Sequence, residues 1–388
     1  MNIEALDIET TISNKGNFAD ASNAVCFIGI GNKVWNIEYD DEPYGESLRE
    51  IQTVIDTMDM ILFVNAKFDL HWLRKYGIDV SAVKVWDCSL VDFMLEAQTT
   101  PYPSMNKMAE KYQLAQKPDI KATYWENNIC TKAIPQDEIV DYLMEHDLPT
   151  TKAIYEIQQE QVNKRSKAFQ RLISLANQDL LVLEEMEYNG LYFDEAKCLV
   201  KAEEIKIEIT ELQQEIYDYH DIEGFNTASG DHLSCLLYGG RIIIPRKEVI
   251  GTYKTGARSG EDKYGWKEQT YDMPRLFNPL PRTSLKKEGY YKTGAEILKQ
   301  LKSKNKFDKR LLTCILTLAK HEKVVGTYYL GLPKLRETMN WEHSMLHGNL
   351  NQVTAVTGRL SSTKPNLQNI AGALKEVFTT RFTGGQDE

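Results

Sequence analysis

Ile3-Glu4-Ala5-Leu6-Asp7-Ile8-Glu9 alternates apolar and acidic side chains through its last four residues. On a strand, residues two apart share a face, so Asp7 and Glu9 point one way while Leu6 and Ile8 point the other. Two hard oxygen donors on a strand whose opposite face is anchored in a core suit Mg²⁺ or Mn²⁺. A half-buried strand with a solvated acidic face accounts for the same stretch. What separates the two readings is the company the pair keeps downstream.

A chain of 388 residues, 42% hydrophobic, can bury more than one core, and two or three domains are expected. Cys26, Cys88, Cys130, Cys198, Cys235 and Cys314 are far apart and form no C-x-x-C pair, which points to reduced thiols and away from zinc. Any metal is then held by carboxylates. No apolar run approaches the ~18 residues a membrane span requires, and a strand starting at residue 3 leaves no room for a signal peptide. A cytoplasmic protein without a membrane partner is expected. The net charge of -10 conceals an asymmetry: residues 1–250 hold 43 acidic and 23 basic side chains, residues 251–388 hold 13 and 23. A basic last third on an acidic remainder suggests a polyanion gripped by one part and worked on by another; solvated lysine-rich loops are the plainer alternative.

Strands are expected at 3–10, 24–29 and 34–39, a helix at 47–58, and a buried strand in Met60-Ile61-Leu62-Phe63-Val64. That strand runs into Asn65-Ala66-Lys67-Phe68-Asp69, where Asn65 suits a helix N-cap and Asp69 its first turn. Asp87 reads as a further cap. Helices follow at 90–96 and 105–112, and one opened by Ile134-Pro135 carries Tyr142, His146 and Asp147.

The LDIET string around Asp7 and Glu9, Asn65-x-x-Phe68-Asp69, and Tyr142 with Asp147 resemble the three exonuclease motifs of DEDD 3′–5′ exonucleases, as in the proofreading domain of family A DNA polymerases. The resemblance implies an α/β, RNase H-like mixed-sheet domain. It also implies two Mg²⁺ ions, replaceable by Mn²⁺, held by Asp7, Glu9, Asp69 and Asp147, with Tyr142 aligning the attacking water and Asn65 positioning a single-stranded 3′ end. The third motif departs from the family, because Tyr142 lies five residues before Asp147 where the family has four, and Pro149 follows. One extra residue on a helix turns a side chain by about 100°. A π-bulge, helped by the N–H that Pro149 lacks, would absorb it. Alternatives are that His146 handles the water, or that the site lacks a water-positioning group.

A long helical stretch is expected from Ile154 to Glu187, closed by Gly190, with a domain joint near Asp194. Helices at 195–219 and 309–329, with Phe225 to Tyr238 between them, resemble the family's thumb. Residues 241–293 interleave Tyr253, Tyr264, Trp266, Tyr271, Tyr290 and Tyr291 with Lys and Arg, either a nucleic-acid surface or a loosely packed hairpin insertion. Thr357-Gly358-Arg359-Leu360-Ser361-Ser362 and Pro365-Asn366-Leu367-Gln368-Asn369-Ile370 are similar to the family's TGRLSS-x-x-PNLQNIP signature, with Ala371 replacing the last proline. There the resemblance implies that Arg359 reaches the minor groove at the primer end, beside Gln368 and Asn369, with Thr357, Ser361 and Ser362 near phosphates.

The expected domains are 1–180 (exonuclease), 181–335 (mainly helical thumb) and 336–388 (start of a palm), with a strand edge at Val377-Phe378 left uncovered. Acidic residues after Ile370 are Glu376, Asp387 and Glu388, none in a setting like that of Asp7. Met1 just ahead of the first strand looks like a gene start. The chain is thus expected to be one half of a split, phage-type polymerase acting in an infected bacterium, whose palm and fingers come from a second polypeptide. A non-catalytic DNA-binding subunit, or a freestanding 3′–5′ nuclease, remains open beside it.

Overall fold

Residues 3–10 form the central strand, β1 (Ile3–Thr10), of a five-stranded mixed sheet. In this computed structural model residues 1–37, 45–370 and 372–380 are described. β1 runs antiparallel to β2 (Val25–Ile30), which pairs with β3 (Lys33–Asn36). Helix α1 (Gly45–Asp56) leads to β4 (Met60–Phe63). β4 lies parallel to β1 and is followed by α2 (Ala66–Lys75) and β5 (Lys84–Asp87) at the sheet's other edge. The strand expected at 34–39 stops at Asn36; residues 38–39 lie outside the described ones.

Both faces of the sheet are covered. Leu6 and Ile8 pack with Ile51 and Ile55 of α1 and Trp72 of α2. Ala5, on the face of Asp7 and Glu9, packs with Phe27, Leu62, Leu143, Leu148 and Ile154. Each large apolar side chain fully buried in this way contributes about 1.5–3 kcal/mol, an anchorage that a strand carrying two carboxylates requires. The second face is built by α3 (Cys88–Leu95), α4 (Met105–Lys111), the short α5 (Ile120–Thr123), α6 (Gln136–Asp141), a π-helical turn over Tyr142–Asp147, and α7 (Leu148–Asn163).

The single helix expected over 154–187 is two: α7 ends at Asn163, and α8 (Lys167–Asn189) starts on Ser166, whose hydroxyl accepts the Phe169 N–H. A serine cap contributes about 1 kcal/mol, enough to favour a break where Arg165 and Ser166 replace apolar positions. Gly190, at φ 64°, closes α8 as expected.

Two units emerge, with boundaries unlike those expected: Met1–Glu195 together with Leu332–Glu388, and Ala196–Gly331. The reason lies in strand pairing and hydrogen bonds: β6 (Leu191–Tyr192) pairs with β9 (Met345–Leu346), and Glu187 of α8 accepts the N–H of Leu350. β9 and Leu350, which the sequence places in a separate last domain, are therefore tied to the first unit. Val377-Phe378 is no uncovered strand edge either. Residues 372–377 form 3₁₀ turns, Val377 is fully buried, and Phe378 bridges to Phe193.

The second unit pairs α9 (Glu195–His220) with α12 (Lys306–Val324) through Ile216, Leu311, Ile315 and Leu318, with α10 (Gly230–Tyr238) and α11 (Ala295–Leu298) alongside. The lysine-rich stretch is a long hairpin of β7 (Gly240–Thr252) and β8 (Asp262–Met273). Arg241, Arg246, Arg258 and Lys267 pair there with Asp272, Glu223, Glu261 and Glu248, while Trp266 is 73% exposed.

Candidate active site

Asp7 and Glu9 project from β1 into a cavity of about 490 Å³ that is also lined by Asp69, Lys117, Tyr142 and Asp147. Three separate devices bring these groups together. Strand alternation aligns Asp7 with Glu9. Asp69, in the first turn of α2, accepts the N–H of Ile8 at 3.0 Å, beyond Ile3–Ala5 where β1 pairs with β4. The helix carrying Tyr142 and Asp147 approaches the sheet over Gly29, the partner of Asp7, where an added Cβ would lie 3.0 Å from the Leu148 side chain.

The π-helical turn spans Tyr142 to Asp147. With its ring closed one residue later than in an α-helix, the residue five on returns to the face that the residue four on otherwise holds. The five-residue spacing is absorbed in this way, and both side chains are buried at the same cavity. Pro149 is the second residue of α7, which runs on from the π-helical turn without a break, so the N–H it lacks falls where the ladder returns from π to α spacing. His146 is half-buried and does not line the cavity.

Burial and mutual repulsion set the electrostatics. Enclosure, then the neighbouring Asp147, push the Asp7 carboxyl up to about 8, against the pull of Lys117. Burial, with Asp7 and Asp147 adding to it, likewise raises Glu9 and Asp69. Burial and the same carboxylates hold the Tyr142 phenol far above its usual range, so it is a neutral donor at any working pH. Burial opposes the charge on Lys117, but Asp147 and Asp7 more than offset it. Its ammonium donates to Asp147 Oδ2 and lies 4.9 Å from the Tyr142 ring centre. Asp147 Oδ1 is buried without a hydrogen-bond partner.

An all-oxygen donor set with one orphaned oxygen fits a hard divalent cation in kind. As the side chains stand, no three such donors among the described residues already converge on one point; the ammonium sits at Asp147 instead.

Asn65 occupies the N-cap position of α2 but makes no capping bond: its φ is 69°, and Asp87 Oδ2 accepts the Ala66 N–H at 2.7 Å. Asp87 caps α3 as well, through the Leu90 N–H. Asn65 lines a neighbouring cavity of about 220 Å³ with Lys67, His71, Glu187 and His347. In the C-terminal segment, β10 (Asn349–Asn351) pairs with β11 (Ser361–Thr363). Thr357, Arg359, Gln368 and Asn369 are exposed there and Ser361 is half-buried, while Ser362 takes the Leu367 N–H. Those residues stay apart from the carboxylate cavity. Lys117 is the site residue that sequence reading missed, since a lysine in a loop before a short helix carries no periodic signal. Cysteines are all free, and no described helix is long and apolar enough to cross a membrane.

Residues 273–383 match the family model of DNA polymerase family A. DNA polymerase I of Chloroflexus aurantiacus is 25% identical over 362 residues, covering 91% of this chain and 33% of that protein. DNA polymerase I of Caldicellulosiruptor bescii is 30% identical over 190 residues, 49% of this chain and 17% of that one. The chain therefore spans about a third or less of the curated relatives it matches. Its fold is similar to that of the POL domain of Pol1 from M. smegmatis, solved in complex with DNA primer-template and dNTP. The TM-score is 0.62 at 15% identity, covering 95% of this chain and 54% of that one.

Proposed function

From its relationship to the family A DNA polymerases, we propose that the chain is the exonuclease and thumb component of such a polymerase, removing 3′-terminal nucleotides and gripping primer–template DNA during replication. The observation that carries the exonuclease reading is the meeting of Asp7, Glu9, Asp69, Asp147 and Tyr142 in one cavity, on a mixed sheet that we read as RNase H-like. Mg²⁺ or Mn²⁺, held by those four carboxylates, would supply charge neutralisation and a more acidic water. Tyr142, a neutral phenol, orients that water by hydrogen bonding. As the water oxygen bonds to phosphorus, the P–O3′ bond breaks, one water proton passes to Glu9, and the departing 3′ oxygen is protonated from solvent. A nucleoside 5′-monophosphate and a shortened strand result. Asn65 steers the strand end from the adjoining cavity. Arg359, Gln368 and Asn369 lie along the minor groove of the duplex, with Thr357 and Ser361 at its phosphates.

In this reading the setting is the cytoplasm of a phage-infected bacterium. The competing reading, a non-catalytic DNA-binding subunit, draws on the ammonium seated at Asp147. The test is digestion of 3′-labelled single-stranded DNA by the purified chain. Activity from the 3′ end that needs Mg²⁺ or Mn²⁺, stops with chelator and disappears in a folded Asp7→Ala variant supports the nuclease. Activity surviving that substitution overturns the site. A folded, inert wild type that still binds DNA favours the non-catalytic subunit.

A further inference from the structure

Of the six rings that residues 241–293 interleave with Lys and Arg, four are used by the chain itself. Tyr271 and Tyr290 pack against the cluster of Ile242 and Ile244, and Tyr291 against that of Leu237 and Leu311. The Arg258 guanidinium covers the Tyr253 ring at 4.5 Å. Tyr264 and Trp266 remain, 53% and 73% exposed. They stand two apart on β8, hence on one face, with Val249 and Lys247 directly opposite on β7. On the other face the Ile250 side chain lies over Gly265, so close that an added Cβ would come within 2.6 Å of it.

We propose that this face of the hairpin is a binding site for single-stranded nucleic acid, with Tyr264 and Trp266 stacking on two successive bases and Lys247 meeting the phosphate between them. The site needs none of the four carboxylates. Side chains two apart on a strand lie about 7 Å apart, twice the ~3.4 Å rise per base in a duplex strand, so the two rings suit bases that are already unstacked. A duplex presents base edges and phosphates and hides the base faces that an exposed ring can use. The Lys247 ammonium lies 5.5 Å from the Tyr264 ring centre while its residue pairs across the ribbon with Trp266, which places a cation between the two rings. Charge selects a polyanion over an apolar protein surface: residues 246–267 hold six basic and three acidic side chains. Arg246, Arg258 and Lys267 are paired with carboxylates, whereas Lys247, Lys254 and Lys263 pair with none among the described residues. Ile242 and Ile244 anchor the base of the ribbon in the core, and beyond Arg246 the rings are held out in water.

The experiment measures binding of fluorescein-labelled oligo(dT) to the full chain by fluorescence anisotropy, with chelator present so that nothing is digested, beside a blunt duplex of the same length. Trp266→Ala and Tyr264→Ala should each weaken oligo(dT) binding by about tenfold, with duplex affinity and melting temperature unchanged. Trp266→Phe should keep most of the wild-type affinity. Lys247→Ala should make the slope of log K against log salt shallower by about 0.7 for the single strand. Photocrosslinking with iododeoxyuridine in the oligonucleotide should mark the peptide that carries Tyr264 and Trp266. Oligo(dT) affinity that is unchanged when both rings are replaced by alanine overturns the site and leaves this face to a protein partner. Equal losses on oligo(dT) and duplex overturn the stacking role. A wild type that is inert as a nuclease yet shows the expected losses overturns the nuclease reading and leaves this site standing.

Discussion

Asp69 Oδ1 accepts the backbone N–H of Ile8 at 3.0 Å, fixing a carboxylate from α2 directly beside the strand segment that carries Asp7 and Glu9. The bond has both a structural and a chemical consequence, and two substitutions separate them. Asp69→Asn keeps an oxygen acceptor for Ile8 and removes the negative charge. It should leave urea unfolding within about 1 kcal/mol of wild type while abolishing Mg²⁺-dependent nuclease activity. Asp69→Ala leaves a buried N–H unpaired and should cost about 1–3 kcal/mol as well. Equal stability losses in the two variants would show that the hydrogen bond does not set the position of this carboxylate.

The π-helical turn yields a sharper test than any point substitution. Deleting Glu145, an exposed residue inside it, restores an α-helical ladder in which the aspartate follows the tyrosine by four residues, which keeps both on the same face. The deletion variant should fold with unchanged or higher stability and retain nuclease activity. Tyr142→Phe should slow digestion by roughly 10²-fold, as expected of a positioned proton-handling group, and His146→Ala should have little effect. A deletion variant that folds but is inert would mean that the widened turn serves the site in some way other than restoring the spacing.

What the sequence discloses and what it hides follow from how each residue reaches the cavity. Asp7 and Glu9 were legible because a strand's period of two leaves no choice of face, and Asp69 because it follows a buried strand by a fixed few residues. The turn at Tyr142 was legible as a counting mismatch beside a proline. Lys117 was not, because its loop returns to the sheet through tertiary packing that no local pattern encodes. Asn65 looked like a cap because of its residue type, yet Asp87, distant in sequence, holds the N–H that a cap would take. Likewise Val377 and Phe378 have strand-forming side chains, but Val377 is buried in a 3₁₀ turn and Phe378 pairs with Phe193. Long-range partners overrode local propensity in both places.

His71 makes the fold acid-sensitive. Burial, then the Lys67 ammonium, lower its imidazole to about 3, so the ring is neutral, and its 3.4 Å approach to Glu187 is not an ion pair. It stacks on Phe18 at 4.3 Å and its Nε2 lies 3.1 Å from the Glu184 carbonyl oxygen. With the folded-state value below the ordinary 6.5, the unfolded chain binds more protons between about 3 and 6.5. The resulting stabilisation is complete above about 6.5 and is lost as pH falls through that window. Melting temperature should drop on acidification from pH 7 to pH 4, and His71→Gln should flatten that part of the profile relative to wild type. An unchanged slope in the variant would assign acid sensitivity to other groups.

Arg359 is exposed in the Thr357 to Ile370 segment, at the turn leading into β11, where Gly358 adopts φ 70°. Gln368 Nε2 donates to the Leu360 carbonyl at 2.8 Å, so the loop behind the guanidinium is braced by the chain itself. If this face lies along duplex DNA, Arg359→Ala removes one cation from the interface without disturbing the brace. Primer–template affinity should fall, and the slope of log K against log salt should become shallower by about one. Digestion of single-stranded DNA at the carboxylate cavity should be unchanged, because that cavity is lined by none of these residues. Gln368→Ala removes the brace as well as a base-edge hydrogen bond, so it should weaken duplex binding while leaving the salt slope near that of wild type. Fluorescence anisotropy with duplex and single-stranded probes across a salt series distinguishes the two effects. An Arg359→Ala protein whose duplex affinity and salt slope both match wild type would remove this segment from the DNA interface and leave the grip to the second unit.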